Sequence, residues 1–243
     1  MNLLTFLPPV LDPSGGAQLH APDGFLSVPV ALAMWALTIV CLAISVSRAN
    51  RTLDERSVPL MGVMAAFIFA AQMFTFPVAG GTSGHLLGGV LAAVLLGPWV
   101  GTIVMACVVA VQGLVFQDGG LLVMGANIFN MGIIGTFGGF AIYITIARAL
   151  GGEDRGRLPA AGIAAWLSVV LAALAMSLEM IVSGTTSGEV VLTAMLSTHA
   201  LIGVGEALIT VAALAFITAV RPDLFRLRDA VAPVGFGAAS QGA

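Results

Sequence analysis

Three histidines are the residues of this sequence best suited to bind a transition metal. His20 lies in the segment LHAPDGFLS, His85 ends the segment FPVAGGTSGH, and His199 begins the segment HALIGVGEALIT. Neutral imidazole is a good ligand for nickel, cobalt, copper and zinc. No HExxH or GxSxG motif accompanies them, so the sequence predicts metal binding rather than catalysis.

Two short stretches could hold the first two histidines in place. Pro22, Asp23 and Gly24 predict a turn directly after His20, because Asp caps nearby N–H groups and Gly accepts a positive φ. The glycines before His85 leave a backbone that a ligand can approach closely. Both stretches also occur as ordinary helix connectors, so a plain turn and a plain loop are the alternative interpretations.

Four other polar residues are candidates for a supporting or pathway role. Asn127 and Asn130 are three residues apart and share one helix face, from which they could orient a ligand histidine or bond a neighbouring helix. Glu206 lies two turns after His199 on the same face, roughly 10 Å deeper. It could be a structural anchor or a transport group. Asp118, in FQDGG, belongs to the same set of polar groups.

The composition predicts a membrane protein, so helices within a lipid bilayer must position these residues. Of 243 residues, 59% are hydrophobic and 9% are charged, whereas a soluble domain has about 25% charged residues. A spanning helix takes about 20 apolar residues, so the chain can supply about seven. The sequence has no lysine, which excludes a P-loop ATPase. The net charge of −3 gives no basic surface for nucleic acid.

Apolar runs predict an all-α polytopic bundle of about seven transmembrane helices. The runs cover residues 28–47, 58–76, 85–97, 98–116, 121–147, 158–182 and 199–220. Arginines cluster after the first, fifth and seventh runs, and short cytoplasmic segments concentrate basic residues. The chain must cross the bilayer an even number of times between successive arginine clusters, and four crossings followed by two satisfy this. The N-terminus is then outside, the C-terminus is inside, and all three histidines lie at the outer end of an outward-facing polar cavity. Run 85–97 is short, about 20 Å as a helix; if it is re-entrant, this parity fails unless its neighbour is re-entrant too.

Several long motifs in order carry a family resemblance. HAPDGFLS, FPVAGGTSGHLLGGVLAAVLLGPW, FQDGG, GANIFNMG and HALIGVGEALIT followed by RPDLF resemble the CbiM/NikM family, the cobalt and nickel substrate-binding membrane components of energy-coupling factor transporters. The resemblance covers residues 19–225, between an N-terminal extension (1–18) and a short cytoplasmic tail (226–243). It implies a seven-helix protein of the bacterial inner membrane that is not itself an enzyme. Co²⁺ for cobalamin biosynthesis is the first expected substrate and Ni²⁺ the alternative.

The resemblance also implies partners and a ligand set. The partners are a transmembrane coupling subunit and cytoplasmic ATPase subunits, with room for a small accessory membrane subunit. The ligands in the family are the free N-terminal amine, the backbone nitrogen and ring of the second residue, and the histidine ending GGTSGH. Carried over, these are Leu19, His20 and His85. Four nitrogens in a plane favour nickel, copper or low-spin cobalt over zinc.

The sequence departs from the family pattern at its start, because eighteen residues precede Leu19. We expect either translation from a leucine codon at position 19 or processing after Ala17 or Gln18, since a buried amine donor needs a free terminus there. If neither occurs, the fourth donor would be water or Asp23.

Two functions of other classes compete with this reading. A self-contained metal channel or secondary carrier would transport without ATP-hydrolysing subunits. An intramembrane zinc enzyme using His20, His85 and His199 would need a general base, and none stands at a recognisable spacing.

Overall fold

The computed structural model of the chain describes residues 20–51, 53, 57–73, 76–78 and 82–225. In these ranges the backbone is almost entirely helical. The helices are α1 (Val28–Ala49), α2 (Ser57–Gln72), α3 (Gly89–Leu96), α4 (Pro98–Val115), α5 (Met124–Ala149), α6 (Glu153–Ser183) and α7 (Gly188–Val220). A small antiparallel hairpin pairs β1 (Phe76–Val78) with β2 (Thr82–Gly84). The predicted extension, Leu19 and the cytoplasmic tail lie outside the described residues.

Five of these helices, α1 and α4 to α7, are long and apolar enough to cross a membrane, with 18 to 33 residues each. Large apolar side chains on them face outward: Val182 is 76% exposed and Leu201 is 69% exposed. Such a surface is stable against lipid and unfavourable in water. The prediction of a helical multi-pass membrane protein is therefore confirmed. Helix α2 has 16 residues and α3 has 8, so a total of seven crossings stays a prediction.

Two predicted helix starts are wrong. His85 does not open α3, because residues 85–88 are not helical and Gly88 has a φ of 81° before the helix begins. His199 does not open α7, which already begins at Gly188. The polar residues taken as the boundary are accommodated inside that helix, since the Ser197 hydroxyl donates to the Thr193 carbonyl one turn earlier. The second run also ends early, and Phe76 belongs to the hairpin.

Helix α3 is the centre of the bundle, and each of its eight residues is buried. Its first residue, Gly89, packs on Gly135, in the π-helical part of α5 (Ile128–Gly138). A methyl group on Gly89 would lie 2.8 Å from the Gly135 carbonyl carbon. Glycine at both positions therefore lets the two backbones touch.

Arg48 and Arg157 lie at the end of the bundle opposite to His20 and His85. The Arg48 guanidinium carbon lies 5.9 Å from the Trp99 ring centroid, and that of Arg157 lies 4.0 Å from the Phe225 ring centroid. His85 contacts His20 at the other end. Between His85 and Trp99 the chain therefore runs from one end to the other, with residues 85–88 outside any helix and the remainder mostly helical. This single pass agrees with the four traverses predicted between the first two arginine clusters.

Candidate metal centre

The rings of His20 and His85 meet edge to face at the histidine end of the bundle. Their centroids are 4.8 Å apart and their planes are inclined by 66°. Both residues are buried, with 5% and 8% of their surface exposed. Two imidazoles at this separation can reach a common ion after a small rotation of their side chains.

Asp118 and Asn127 hold the backbone around His20. The His20 N–H donates to Asp118 Oδ1 at 3.2 Å, and the second oxygen, Oδ2, lies 3.2 Å from His20 Nδ1. That second contact has an ion-pair distance without hydrogen-bond geometry. The Asn127 amide donates to the Ala21 carbonyl at 3.1 Å. Asp118 thus contacts the backbone nitrogen and a ring nitrogen of His20, and Asn127 holds Ala21, the residue that follows His20.

Gly119 lets this loop approach His20. Its φ is +97°, and a methyl group there would lie 2.7 Å from His20 Cβ. The backbone N–H of the next residue, Gly120, donates to the Ala21 carbonyl at 3.0 Å. A side chain at position 119 would therefore both strain the backbone and displace the histidine.

The turn predicted after His20 is present, with the Phe25 N–H donating to the Pro22 carbonyl at 3.3 Å. The Asp23 carboxylate is engaged by the backbone before α5: its Oδ1 accepts from the N–H groups of Leu122 at 2.9 Å and Val123 at 3.2 Å. This capping of the approach to α5 makes Asp23 a poor candidate for a fourth metal donor.

The surroundings of His85 suit a ligand. Its Nδ1 donates to the Leu86 carbonyl at 2.7 Å, which leaves the lone pair on Nε2, the arrangement common in metal-binding histidines. Burial is the main cause that lowers the pKa of His85 from 6.5 to about 4, and the nearby His20 ring acts in the same direction. The ring is therefore neutral at physiological pH, which is the form that binds a metal.

Glu206 anchors the backbone after His85. Its two carboxylate oxygens accept from the N–H groups of Leu87 and Gly88, each at 2.8 Å, and the residue is 1% exposed. These contacts satisfy donors at the start of α3. Of the two roles that the sequence leaves open for Glu206, these contacts favour that of a structural anchor.

Asn130 and His199 form hydrogen bonds away from the two rings, although His199 also interacts electrostatically with His85. The Asn130 amide donates to Glu179 Oε2 on α6 at 3.1 Å, so it bonds a neighbouring helix. His199 Nδ1 contacts the Met195 carbonyl of its own helix at 2.8 Å. Within the described ranges no three His, Cys, Asp or Glu side chains converge as a metal site, so a three-histidine zinc site is not formed there.

Sequence reasoning missed two glutamines. Gln72 on α2 and Gln112 on α4 are both fully buried, and the Gln112 amide donates to Gln72 Oε1 at 2.9 Å. The signal was available, because each is an isolated amide within an apolar run, where a polar side chain is costly unless it has a partner.

The known proteins that resemble this chain are described as transporters of cobalt, nickel or transition metals. A family model described as the cobalt uptake substrate-specific transmembrane region matches residues 20–224. A putative fused nickel transport protein NikMN from Archaeoglobus fulgidus is 40% identical over 87% of this chain and 70% of its own. A cobalt transport protein CbiM from Sorangium cellulosum is 33% identical over 85% of this chain and 94% of its own. The crystal structure of a transition metal transporter superposes with a TM-score of 0.75 at 31% identity, covering 83% of this chain and 93% of the other.

Proposed function

The chain belongs to the CbiM family of cobalt-uptake transmembrane regions, and we propose that it captures a divalent cobalt or nickel ion at His20 and His85 for import. The observation that supports this most directly is the meeting of two buried imidazoles at the end of the bundle away from the arginines. Burial there excludes competing water, and neutral rings offer lone pairs to a cation.

Cobalt(II), destined for cobalamin biosynthesis, is the first candidate for the substrate, and nickel(II) is the alternative. The family description names cobalt uptake, while related proteins carry either metal in their names. Both ions accept several nitrogen donors. The number and arrangement of the nitrogens around the ion therefore determine whether the site prefers cobalt and nickel or zinc.

The donor set consists of His85 Nε2, a ring nitrogen of His20, the backbone nitrogen of His20 and the amine of Leu19. The backbone nitrogen can bind the ion only after it loses the proton that it donates to Asp118 Oδ1. Only the amine needs a terminus at position 19, which lies outside the described residues. The intact mass of transport-competent protein from its native host tests this. A mass starting at residue 19 supports the amine donor, whereas a mass that includes residues 1–18 rules it out.

Transport requires further subunits in this proposal. The arginine end faces the cytoplasm, where a transmembrane coupling subunit and ATPase subunits, with or without a small accessory membrane subunit, drive release of the ion. The absence of lysine from the chain supports a separate ATPase. Uptake by vesicles that contain this chain alone would favour the rival function, a self-contained channel or carrier.

Titration of the purified chain with Co(II) and Ni(II) tests metal capture. His85→Ala removes one proposed ligand and should abolish high-affinity binding. His199→Ala removes a histidine whose ring hydrogen-bonds its own helix, and this variant should keep high-affinity binding. If His85→Ala binds as tightly as His199→Ala, the proposed site is wrong.

A further inference from the structure

Gln72 and Gln112 form a buried amide pair between α2 and α4. The Gln112 Nε2 group donates to Gln72 Oε1 at 2.9 Å, and both side chains are fully buried. The side chain of Gln72 hydrogen-bonds the segment that follows His85, and the backbone of Gln112 hydrogen-bonds Asp118 near His20.

On one side the pair holds the segment that carries His85. Gln72 Nε2 donates to the Leu87 carbonyl at 2.7 Å. The preceding carbonyl, that of Leu86, is the acceptor that orients the His85 ring. A shift of this segment toward or away from α2 would therefore move the His85 ring with it.

On the other side the backbone of Gln112, rather than its side chain, contacts the residue that holds His20. The backbone carbonyl of Gln112 accepts from the Asp118 N–H at 3.0 Å, and Asp118 accepts in turn from the His20 N–H at 3.2 Å. The side chains of Gln72 and Gln112 therefore tie the Leu87 carbonyl to α4, and the last turn of that helix holds Asp118 through the Gln112 backbone carbonyl.

The pair is not explained by stability alone. Gln112 Oε1 is buried and has no hydrogen-bond partner among the described residues, so the cost of removing this oxygen from water is not repaid by a hydrogen bond. Replacing both members of a buried polar pair with apolar side chains of similar size is often nearly neutral. A buried amide pair with an unpaired acceptor therefore calls for a positional explanation.

We propose that Gln72 and Gln112 are positioning residues that set the separation of the two imidazoles and thereby the preference for nickel and cobalt over zinc. The inference rests on the proposed function. A fixed separation favours a planar set of nitrogens, whereas zinc prefers a tetrahedron. A bridge that loosens would let the two rings relax toward the tetrahedral arrangement.

The test replaces both glutamines with methionine, which keeps length and volume and removes the hydrogen bonds. The matched control is Thr102→Val on the same helix α4, which breaks a buried hydroxyl pair with Thr136 at 2.5 Å. Dissociation constants for Co(II), Ni(II) and Zn(II) are measured on each protein, together with the visible absorption spectrum of bound Ni(II).

We expect the double variant to bind nickel and cobalt about 10- to 100-fold more weakly, to lose less affinity for zinc, and to show a shifted nickel spectrum. Thr102→Val should leave the order of affinities and the spectrum unchanged. Gln112→Met alone removes the unpaired Oε1 and leaves the Gln72 bond to Leu87, so it provides a folded protein if the double variant does not fold, and it should change metal preference in the same direction.

An unchanged ratio of nickel to zinc affinity and an unchanged spectrum in the glutamine variants would overturn the inference. So would an equal effect of Thr102→Val. Failure of the wild-type protein to bind any of the three ions would instead refute the proposed function, so the two failures are distinguishable.

Discussion

Replacing Glu206 with glutamine should destabilise the fold by more than the loss of one charge suggests. Both carboxylate oxygens accept a backbone N–H at 2.8 Å, from Leu87 and from Gly88. Glutamine offers one oxygen and one NH₂ group, so one buried N–H would face another donor. The side chain is 1% exposed, and water therefore cannot replace the lost acceptor.

The magnitude follows from these two contacts. An orphaned buried donor costs about 1–3 kcal/mol, and a hydrogen bond to a charged group contributes about 1.5–3 kcal/mol, part of which survives as a neutral bond. We expect Glu206→Gln to lower the free energy of unfolding by about 3 kcal/mol. Because the disturbed segment directly follows His85, the affinity for metal should fall as well.

Glu179→Gln is the matched control for this substitution. Glu179 is only half-buried, and its Oε2 accepts from the Asn130 amide at 3.1 Å, a bond that a glutamine oxygen can also accept. Unfolding of both variants in detergent micelles, followed by circular dichroism, gives the comparison. Equal stability of Glu206→Gln and Glu179→Gln would refute the assignment of Glu206 as the anchor of this segment.

Two further predictions concern the site itself. Between pH 6.5 and about 4, His85 binds a proton in the unfolded chain but not in the folded chain. The stability of the metal-free protein should therefore fall as the pH falls, by about 3 kcal/mol at pH 4. His85→Asn should reduce this dependence in thermal melts, and an unaltered pH profile would contradict the prediction. Gly119→Ala should strain a φ of +97° and push on His20 Cβ, reducing metal affinity, whereas Gly152→Ala has a similar φ of +102° with open space around it and should reduce stability without changing metal affinity. Equal metal binding by these two alanine variants would show that position 119 does not control His20.

The main features of the bundle were predictable from sequence, because apolar runs and arginine clusters depend on local composition. Local composition also misplaced two boundaries. The start of α7 was set too late, because Ser197 and its neighbour read as a connector although the Ser197 hydroxyl bonds within the helix. The residues after His85 read as helix, although Gly88 adopts a positive φ.

The support around the histidines could be predicted only in part. The turn after His20 has a local sequence signal, and the structure contains it. The contacts of Glu206 with Leu87 and Gly88 join residues more than one hundred positions apart, and the partnership of Gln72 with Gln112 requires α2 and α4 to pack in one register. Such pairings depend on tertiary packing, which a single sequence does not specify.

X-ray absorption spectroscopy of the cobalt- or nickel-loaded protein reports whether His20 and His85 bind the ion. We expect a first shell of nitrogen donors with the multiple-scattering signature of two imidazoles, reduced to one in His20→Ala or His85→Ala and unchanged in His199→Ala. A shell dominated by sulfur or by water oxygen, or a spectrum that neither of the first two substitutions alters, would contradict this expectation.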